Sequence, residues 1–258
     1  MKTIYYYQSF CGLEKLYSHV QDIDTIILSS IHFSSYRSDP YIHLNDYPPT
    51  SPMFDPVWTE LHKLYSQGVE IMLMIGGAGG AYDALFKNFD IFYPLLKDLL
   101  KQHNFITGID LDIEESVDIN DVKKLINQLK KDFGEDFVIT MAPVAYALSD
   151  DSVGLGGFSY KELYNSPEGR HISWFNTQCY GSYTLDTYDK IIKNGYPPEK
   201  VVFGMLGGDY DNFTESLNEV NKVKQKYPDM TGVFVWEYIQ SPPDKNDPSQ
   251  WAKIMKTI

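Results

Sequence analysis

The chain has 258 residues, of which 43% are hydrophobic and 22% are charged, and its formal net charge at pH 7 is −13. This composition is typical of a globular chain rather than a disordered one, and the length suits one large α/β domain or two small ones. The negative charge disfavours nucleic acid and anionic membranes as partners, and no basic patch with interleaved aromatic residues offsets it.

The sequence shows no membrane or targeting segment. No apolar run approaches the length of a transmembrane helix, and the first residues, MKTIYYYQSF, lack the apolar stretch of a signal peptide. We therefore expect a cytoplasmic protein, or a secreted one if a leader was removed, without a membrane partner. The two cysteines, Cys11 and Cys179, follow no metal-ligand spacing.

Eight short apolar, β-branched or aromatic runs are predicted to be strands. In chain order they are TIYYYQ (3–8), TIILSSIHF (25–33), VEIMLMIGG (69–77), ITGIDLDIE (106–114), FVITMAP (137–143), ISWFNTQCY (172–180), VVFGML (201–206) and GVFVWEY (232–238). Amphipathic stretches between them are predicted to be helices. One of these is INDVKKLINQLKKDFG (119–134), for which Asn120 is the expected N-cap and Gly134 the expected end.

Apolar strands that alternate with helices predict a parallel sheet covered on both faces. Eight such units predict an α/β fold, a single (β/α)8 TIM barrel over residues 1–258 without a large inserted domain. A doubly wound open sheet is the alternative, and the strand count and the lack of a glycine fingerprint after the first strand disfavour it. The GGAGG segment (76–80) lacks the Lys-Ser/Thr of a P-loop, so we interpret it as a tight turn whose backbone can approach a ligand.

Three acidic residues at two-residue spacing end the fourth predicted strand, in GIDLDIEE (108–115). Strand alternation places Asp110, Asp112 and Glu114 on one face and the aliphatic residues between them on the other. A solvated acidic face, as in an antiparallel sheet, is the alternative. In a TIM barrel the active site lies at the carboxyl ends of the strands, so the acids should face the interior, with Glu114 nearest the end.

The segment TGIDLDIE (107–114) resembles the D-G-x-D-x-D-x-E signature of glycoside hydrolase family 18, with Thr107 in place of the first Asp. This family contains the chitinases and endo-β-N-acetylglucosaminidases. Four other segments resemble family segments at other strand ends, in the same order: LMIGG (73–77), MAP (141–143), QCY (178–180) and FVWEY (234–238). The resemblance therefore spans the whole predicted barrel.

The resemblance implies a substrate-assisted mechanism, in which the 2-acetamido oxygen of the sugar attacks the anomeric carbon and the configuration is retained. Glu114 would be the general acid and would later activate water. Asp112 would orient the acetamide, and Asp110 would share a proton with Asp112. We expect Thr107 to remove one carboxylate from this proton-sharing chain and to alter the pH dependence. We expect neither a cofactor nor a metal, since no His/Asp cluster with ligand spacing accompanies the acids.

The same resemblance assigns the binding residues. Tyr180 would hydrogen-bond the acetamide oxygen, and Trp236 would form the floor under the sugar. Gln178, Tyr6, Met141 and the turn glycines Gly76 and Gly77 are further candidates for this pocket. Tyr180 and Trp236 could instead be ordinary core rings, and for Met141 a core position is favoured. The register of Tyr6 stays open because it lies within three consecutive tyrosines.

Strand alternation also assigns some residues away from the pocket. Glu115 points opposite to Glu114 and receives no catalytic role, and for His32 a loop-facing position is favoured over the cleft. With Gln178 and Tyr180 facing inward, Cys179 should face the helices, too far from Cys11 for a disulfide.

The resemblance thus implies a retaining hydrolase of β-1,4 bonds next to N-acetylglucosamine, and we expect it to be a monomer. Its substrate would be chitin, a chitooligosaccharide or the chitobiose core of an N-glycan. The alternative is a weakly active or inactive chitinase-like lectin that binds such glycans. The presence of both Asp112 and Glu114 favours the enzyme.

Overall fold

Nine strands form one sheet in the computed structural model, which describes residues 1–36 and 39–258. The strands are β1 (Lys2–Tyr7), β2 (Thr25–Tyr36), β3 (Asp39–Leu44), β4 (Glu70–Gly76), β5 (Ile106–Asp112), β6 (Val138–Met141), β7 (Trp174–Gln178), β8 (Val201–Leu206) and β9 (Gly232–Trp236). All except β3 are parallel neighbours, and β9 pairs with β1, which closes the barrel. The prediction of a TIM barrel is confirmed.

Helices follow the strands and cover the outside of the barrel. They are α1 (Asp55–Ser66), α2 (Tyr82–Lys87), α3 (Phe89–Gln102), α4 (Ile119–Phe133), α5 (Ala145–Ser149), α6 (Tyr160–Tyr164), α7 (Leu185–Lys193), α8 (Phe213–Lys226) and α9 (Ser249–Met255). The segment 207–231, between β8 and β9, contains α8 and no strand. Within the described ranges, no helix is both long and apolar enough to cross a membrane.

Strand β3 is not among the predicted strands. The second barrel strand continues beyond the barrel, and β3 pairs antiparallel with this extension, with Ile31 opposite Leu44 and His32 opposite His43. Pro40 lies in β3, which is compatible with an edge strand because proline lacks the N–H that a central strand needs. The extension and β3 form a hairpin beside the carboxyl ends of the barrel strands.

Strand alternation divides the apolar residues into two cores. The smaller core fills the barrel interior and consists of Ile4, Tyr6, Ile27, Met72, Met74, Trp174, Val202 and Phe234. Gly204 permits this packing, because a Cβ there would lie 2.0 Å from the Phe234 ring. The larger core lies between the barrel and the helices and includes Cys179. Both cysteines are free, as predicted. Cys11 is exposed and Cys179 is buried.

Of the two predicted ends of α4, the structure confirms one. The N-cap is Asp118, whose carboxylate accepts a hydrogen bond from the backbone N–H of Asn120 at 2.8 Å. The prediction of Asn120 as the N-cap was therefore wrong, because the side chain of Asp118, two residues earlier, accepts the free N–H of Asn120 in the first turn. Gly134 ends the helix as predicted, with a φ of 89°.

Candidate active site

A cavity of about 260 Å³ opens at the carboxyl ends of the barrel strands. Residues from all eight barrel strands or from the loops just after them contribute to its wall. The lining residues are Tyr6, Gln8, Ser30, Met74, Gly76, Gly77, Ala78, Asp112, Glu114, Ala142, Gln178, Tyr180, Leu206 and Trp236. All the predicted site residues except Asp110 and Met141 line this cavity.

Asp110 lies beneath the cavity and is fully buried. Its carboxylate accepts three hydrogen bonds, from the Tyr6 hydroxyl at 2.7 Å, the Thr140 hydroxyl at 2.6 Å and the Asn176 amide at 3.0 Å. Burial raises the pKa of Asp110, and these donors partly oppose the rise. The contact with Asp110 also places Tyr6 inside the barrel, which the sequence left open.

Sequence reasoning missed Thr140 and Asn176. Both are fully buried polar residues on β6 and β7, and Asn176 shares its strand face with Gln178. A polar residue at an inward position of an otherwise apolar strand was the available signal, because such a group needs a buried hydrogen-bond partner.

Gln178 connects the two upper acids. Its Nε2 lies 3.1 Å from Asp112 Oδ1, 3.4 Å from Glu114 Oε1 and 2.8 Å from the Ala142 carbonyl oxygen. Asp112 is 5% exposed, and its pKa is well above the usual range because of burial and, next, the charges of Glu114 and Asp110. The Gln178 hydrogen bond acts in the opposite direction. Asp112 therefore keeps a proton more readily than an exposed aspartate does.

Three aromatic residues form one side of the site. The Tyr6 and Trp236 rings are 5.3 Å apart, and Tyr180 meets Phe234 edge to face at 6.2 Å. Burial raises the pKa of Tyr6 and of Tyr180 well above the usual value for tyrosine, so both hydroxyls remain protonated. Trp236 is only partly buried and lines the cavity.

Gly76 and Gly77 form the turn predicted from the sequence. Their φ values are 92° and 79°, a region that favours glycine. A Cβ on Gly76 would lie 2.3 Å from the backbone oxygen of Asp112, and the Gly77 N–H donates to that same oxygen at 2.9 Å. Only glycine lets this turn pack directly against the acid strand.

Two candidates from the sequence lie away from the cavity, and for Met141 the core position is the one that the sequence favoured. Met141 does not reach the cavity, because it faces the core between barrel and helices, and Ala142 lines the wall instead. Thr107 does not replace a member of the acid chain. It lies at the opposite end of β5 from Glu114, and its hydroxyl donates to the Ile71 carbonyl at 3.3 Å. The expectation that Thr107 removes a proton-sharing carboxylate was wrong.

His32 and Glu115 lie outside the cavity, which is the position that the sequence favoured for both. His32 bridges the hydroxyl of Ser30, at 2.9 Å, and the carbonyl oxygen of Gly80, at 2.7 Å. The carboxylate of Glu115 accepts a hydrogen bond from the backbone N–H of Tyr82 at 2.5 Å. No cluster of three or more His, Cys, Asp or Glu residues in the described ranges has a geometry suited to a metal ion.

Comparisons with known proteins agree with this geometry. The model of the glycosyl hydrolases family 18 matches residues 2–255. Chitinase 2 of Rhizopus oligosporus is 25% identical over 256 aligned residues that cover 87% of this chain, and the chain spans 45% of that protein's length.

Two solved structures are also similar. A fungal endo-β-N-acetylglucosaminidase of glycosyl hydrolase family 18 is 31% identical, with a TM-score of 0.89, and the alignment covers 100% of this chain and 97% of that one. A chitinase from Aspergillus fumigatus is 32% identical, with a TM-score of 0.86 and coverage of 99% and 98%. Because the family model matches nearly the whole sequence, the chain belongs to glycosyl hydrolases family 18.

Proposed function

We propose that this chain is a retaining glycoside hydrolase that cleaves β-1,4 bonds next to N-acetylglucosamine, with the acetamide of the substrate as the nucleophile. The observation that carries the proposal is the row of Asp110, Asp112 and Glu114 along one face of β5 and the residues after it. This row leads from a fully buried carboxyl group to one at the cavity.

Glu114 is the proposed general acid. It is the least buried member of the row, so it is the one that a glycosidic oxygen in the cavity can reach. Glu114 donates its proton to that oxygen as the bond to the anomeric carbon breaks. The resulting carboxylate then takes a proton from the water that opens the intermediate.

Asp112 is proposed to act on the acetamide. Its carboxyl group borders the cavity, where it can accept a hydrogen bond from the acetamide N–H and stabilise the positive charge of the oxazolinium-like intermediate. Three carboxylates along one strand repel one another when all are ionised. Burial raises the pKa of both Asp110 and Asp112, which favours retention of a proton in the row.

The remaining lining residues bind the sugar in this proposal. The Tyr180 hydroxyl donates to the acetamide oxygen as that oxygen attacks, and the Trp236 ring lies under the apolar face of the sugar. Gly76 and Gly77 allow the backbone to approach the same sugar. Two cavities of about 650 and 400 Å³ adjoin the central one at Tyr180, so a longer oligosaccharide has room to extend beyond it.

Two solved relatives support both substrate classes, since one is named a chitinase and the other an endo-β-N-acetylglucosaminidase. The proposed substrate is accordingly chitin or a chitooligosaccharide, or the chitobiose core of an N-glycan. The test is incubation with N-acetylchitotetraose and, separately, with a high-mannose glycopeptide, with the products identified by mass spectrometry.

Cleavage of either substrate by the wild-type protein, and of neither by Glu114→Gln, would support the proposal. Binding of both substrates without any cleavage would contradict hydrolysis and favour the chitinase-like lectin.

A further inference from the structure

Two carboxylates that the mechanism does not use follow site residues directly. Glu115 follows Glu114, and Glu237 follows Trp236. Neither lines the cavity, and each instead accepts hydrogen bonds from two successive backbone N–H groups of a neighbouring loop. We call these two carboxylates the loop braces.

The first brace holds the glycine turn. One oxygen of Glu115, Oε1, accepts the N–H groups of Ala81 and Tyr82, at the end of the loop that follows β4. Three glycines of that loop, Gly77, Gly79 and Gly80, have φ between 73° and 102°. Such a segment loses much conformational entropy when it is ordered, so its position depends on the contacts at its ends. At its near end, Gly77 donates to the Asp112 backbone oxygen.

A second contact supports the same loop from the hairpin. The Gly80 carbonyl accepts a hydrogen bond from His32 Nδ1, which must carry the proton because a carbonyl oxygen only accepts. Within residues 80–82, Glu115 therefore accepts hydrogen bonds from backbone N–H groups, and His32 donates one to a backbone carbonyl group. The part of the loop that lines the cavity, Gly76 to Ala78, lies between these contacts and the acid strand.

The second brace holds the loop after β1 in the same way. Glu237 is 7% exposed, and its Oε2 accepts the N–H of Gln8 at 3.2 Å and of Ser9 at 3.4 Å. Gln8 lines the cavity, and its carbonyl oxygen accepts a hydrogen bond from Asn45 at 3.1 Å. In both cases a carboxylate at the end of one barrel strand fixes the loop that follows the adjacent strand.

We propose that Glu115 and Glu237 are positioning residues that hold these two loops at the cavity wall and thereby determine how tightly the substrate binds. The proposal rests on the proposed function for its kinetic consequence, whereas the ordering of the loops does not depend on it. Hydrogen bonds from backbone N–H groups to a carboxylate are about twice as strong as those to a neutral acceptor. A graded series of substitutions should therefore give a graded effect.

The experiment compares Glu115→Gln, Glu115→Ala and Glu237→Ala with the wild type. Hydrolysis of the cleaved substrate gives kcat and KM, and hydrogen–deuterium exchange gives the protection of residues 76–82 and 8–12. We expect Glu115→Ala to raise KM roughly tenfold and Glu115→Gln about threefold, with kcat within about threefold of wild type. Exchange should be faster in loop 76–82 for the Glu115 variants and in loop 8–12 for Glu237→Ala. The control is Glu135→Ala, whose side chain is 80% exposed, and it should change neither quantity.

Unchanged KM and unchanged loop exchange in the variants would overturn the proposal, as would a loss confined to kcat. If Glu115→Ala does not fold, Glu115→Gln decides: a raised KM with faster exchange supports the brace, and wild-type values contradict it. If the wild type hydrolyses neither substrate, the proposed function fails, and the exchange rates alone then decide on the braces.

Discussion

Glu114 differs from the other two acids in its access to the cavity. Asp110 and Asp112 are buried, whereas Glu114 is partly exposed and contacts Gln178 at 3.4 Å. We predict that Glu114→Gln abolishes hydrolysis and leaves sugar binding largely intact, since glutamine keeps the shape and the polarity but has no acidic proton to transfer to the glycosidic oxygen. The rate should fall by on the order of 10²–10⁴ or more. Near-normal turnover in this variant, measured alongside its affinity for N-acetylchitotetraose, would exclude Glu114 as the general acid.

The ionised side chain of Asp112 should make the fold less stable than a neutral side chain at this position would. Its pKa is raised in the folded chain by burial and by Glu114 and Asp110, so the folded chain binds this proton more tightly than the unfolded chain does. The stabilisation that this proton gives to the fold is complete below the unfolded pKa of about 4. It is lost as the pH rises through the raised pKa of the folded chain, and the free energy of unfolding falls by about 1.4 kcal/mol per pH unit on the way.

Asparagine at position 112 stays neutral and still accepts the Gln178 hydrogen bond. We predict that Asp112→Asn unfolds at a higher denaturant concentration than wild type at pH 8 and at the same concentration at pH 3. Asp98→Asn, at an exposed aspartate, is the control. A variant less stable than wild type at pH 8 would contradict the raised pKa.

The acids show how far single residues could be predicted. Their spacing is visible in the sequence, and strand alternation alone places them on one face. The partners of Asp110 were not predictable in this way, because Tyr6, Thr140 and Asn176 come from three other strands and meet it only when the barrel closes. Thr107 was misassigned because its role was taken from its position in the motif, and strand alternation was not applied to this residue.

At the scale of elements, one carboxylate ties two outer helices together. Asp132 on α4 accepts hydrogen bonds from Tyr93 and Lys97 on α3, at 2.9 and 2.6 Å, and from Gln128 at 2.9 Å. These contacts, Lys97 first, lower the pKa of Asp132 to about 2. The stabilisation is therefore present above the unfolded pKa of about 4 and is lost as the pH falls through about 2.

We predict that Asp132→Ala lowers the free energy of unfolding at pH 7 by about 1–2 kcal/mol, because three donors lose their acceptor. The difference from wild type should shrink at pH 3. Asp83→Ala is the matched control, since its ion pair with Lys87 is mostly exposed and should contribute less than about 0.5 kcal/mol. Denaturant titrations at both pH values measure these differences, and equal losses for Asp132→Ala at the two would contradict the argument.

Strands that show the same apolar pattern in the sequence were predicted, and a strand without that pattern was missed. All eight barrel strands are apolar runs, and each was predicted with ends within a few residues of those observed. Strand β3 was missed because it is an edge strand whose sequence, DPYIHL, is polar at one end and contains a proline. It forms by pairing with the extension of β2, and that pairing is a tertiary contact that a local pattern does not contain.

At the scale of the whole molecule, closure of the barrel determines which chemistry is available. A retaining enzyme with its own nucleophile needs a second carboxylate about 5–5.5 Å from the acid, on the other side of the anomeric carbon. Among the lining residues that the structure describes, the carboxylates are Asp112 and Glu114, and both come from the same strand end. The aromatic and apolar side chains of Tyr6, Leu206 and Trp236 line other parts of the same cavity.

The nucleophile should therefore come from the substrate, and this gives a prediction for the complete reaction. A substrate with glucose in place of N-acetylglucosamine at the cleaved position should be inert, because it lacks the acetamide oxygen. A thiazoline analogue of the oxazolinium intermediate should inhibit, because it presents the same bicyclic shape to Asp112 and Tyr180. Two displacements at the anomeric carbon, the first by the acetamide and the second by water, should yield a product that first appears in the β configuration. Proton NMR of the fresh product distinguishes the two anomers before mutarotation. An α product, or cleavage of the glucose analogue at a comparable rate, would rule out attack by the acetamide.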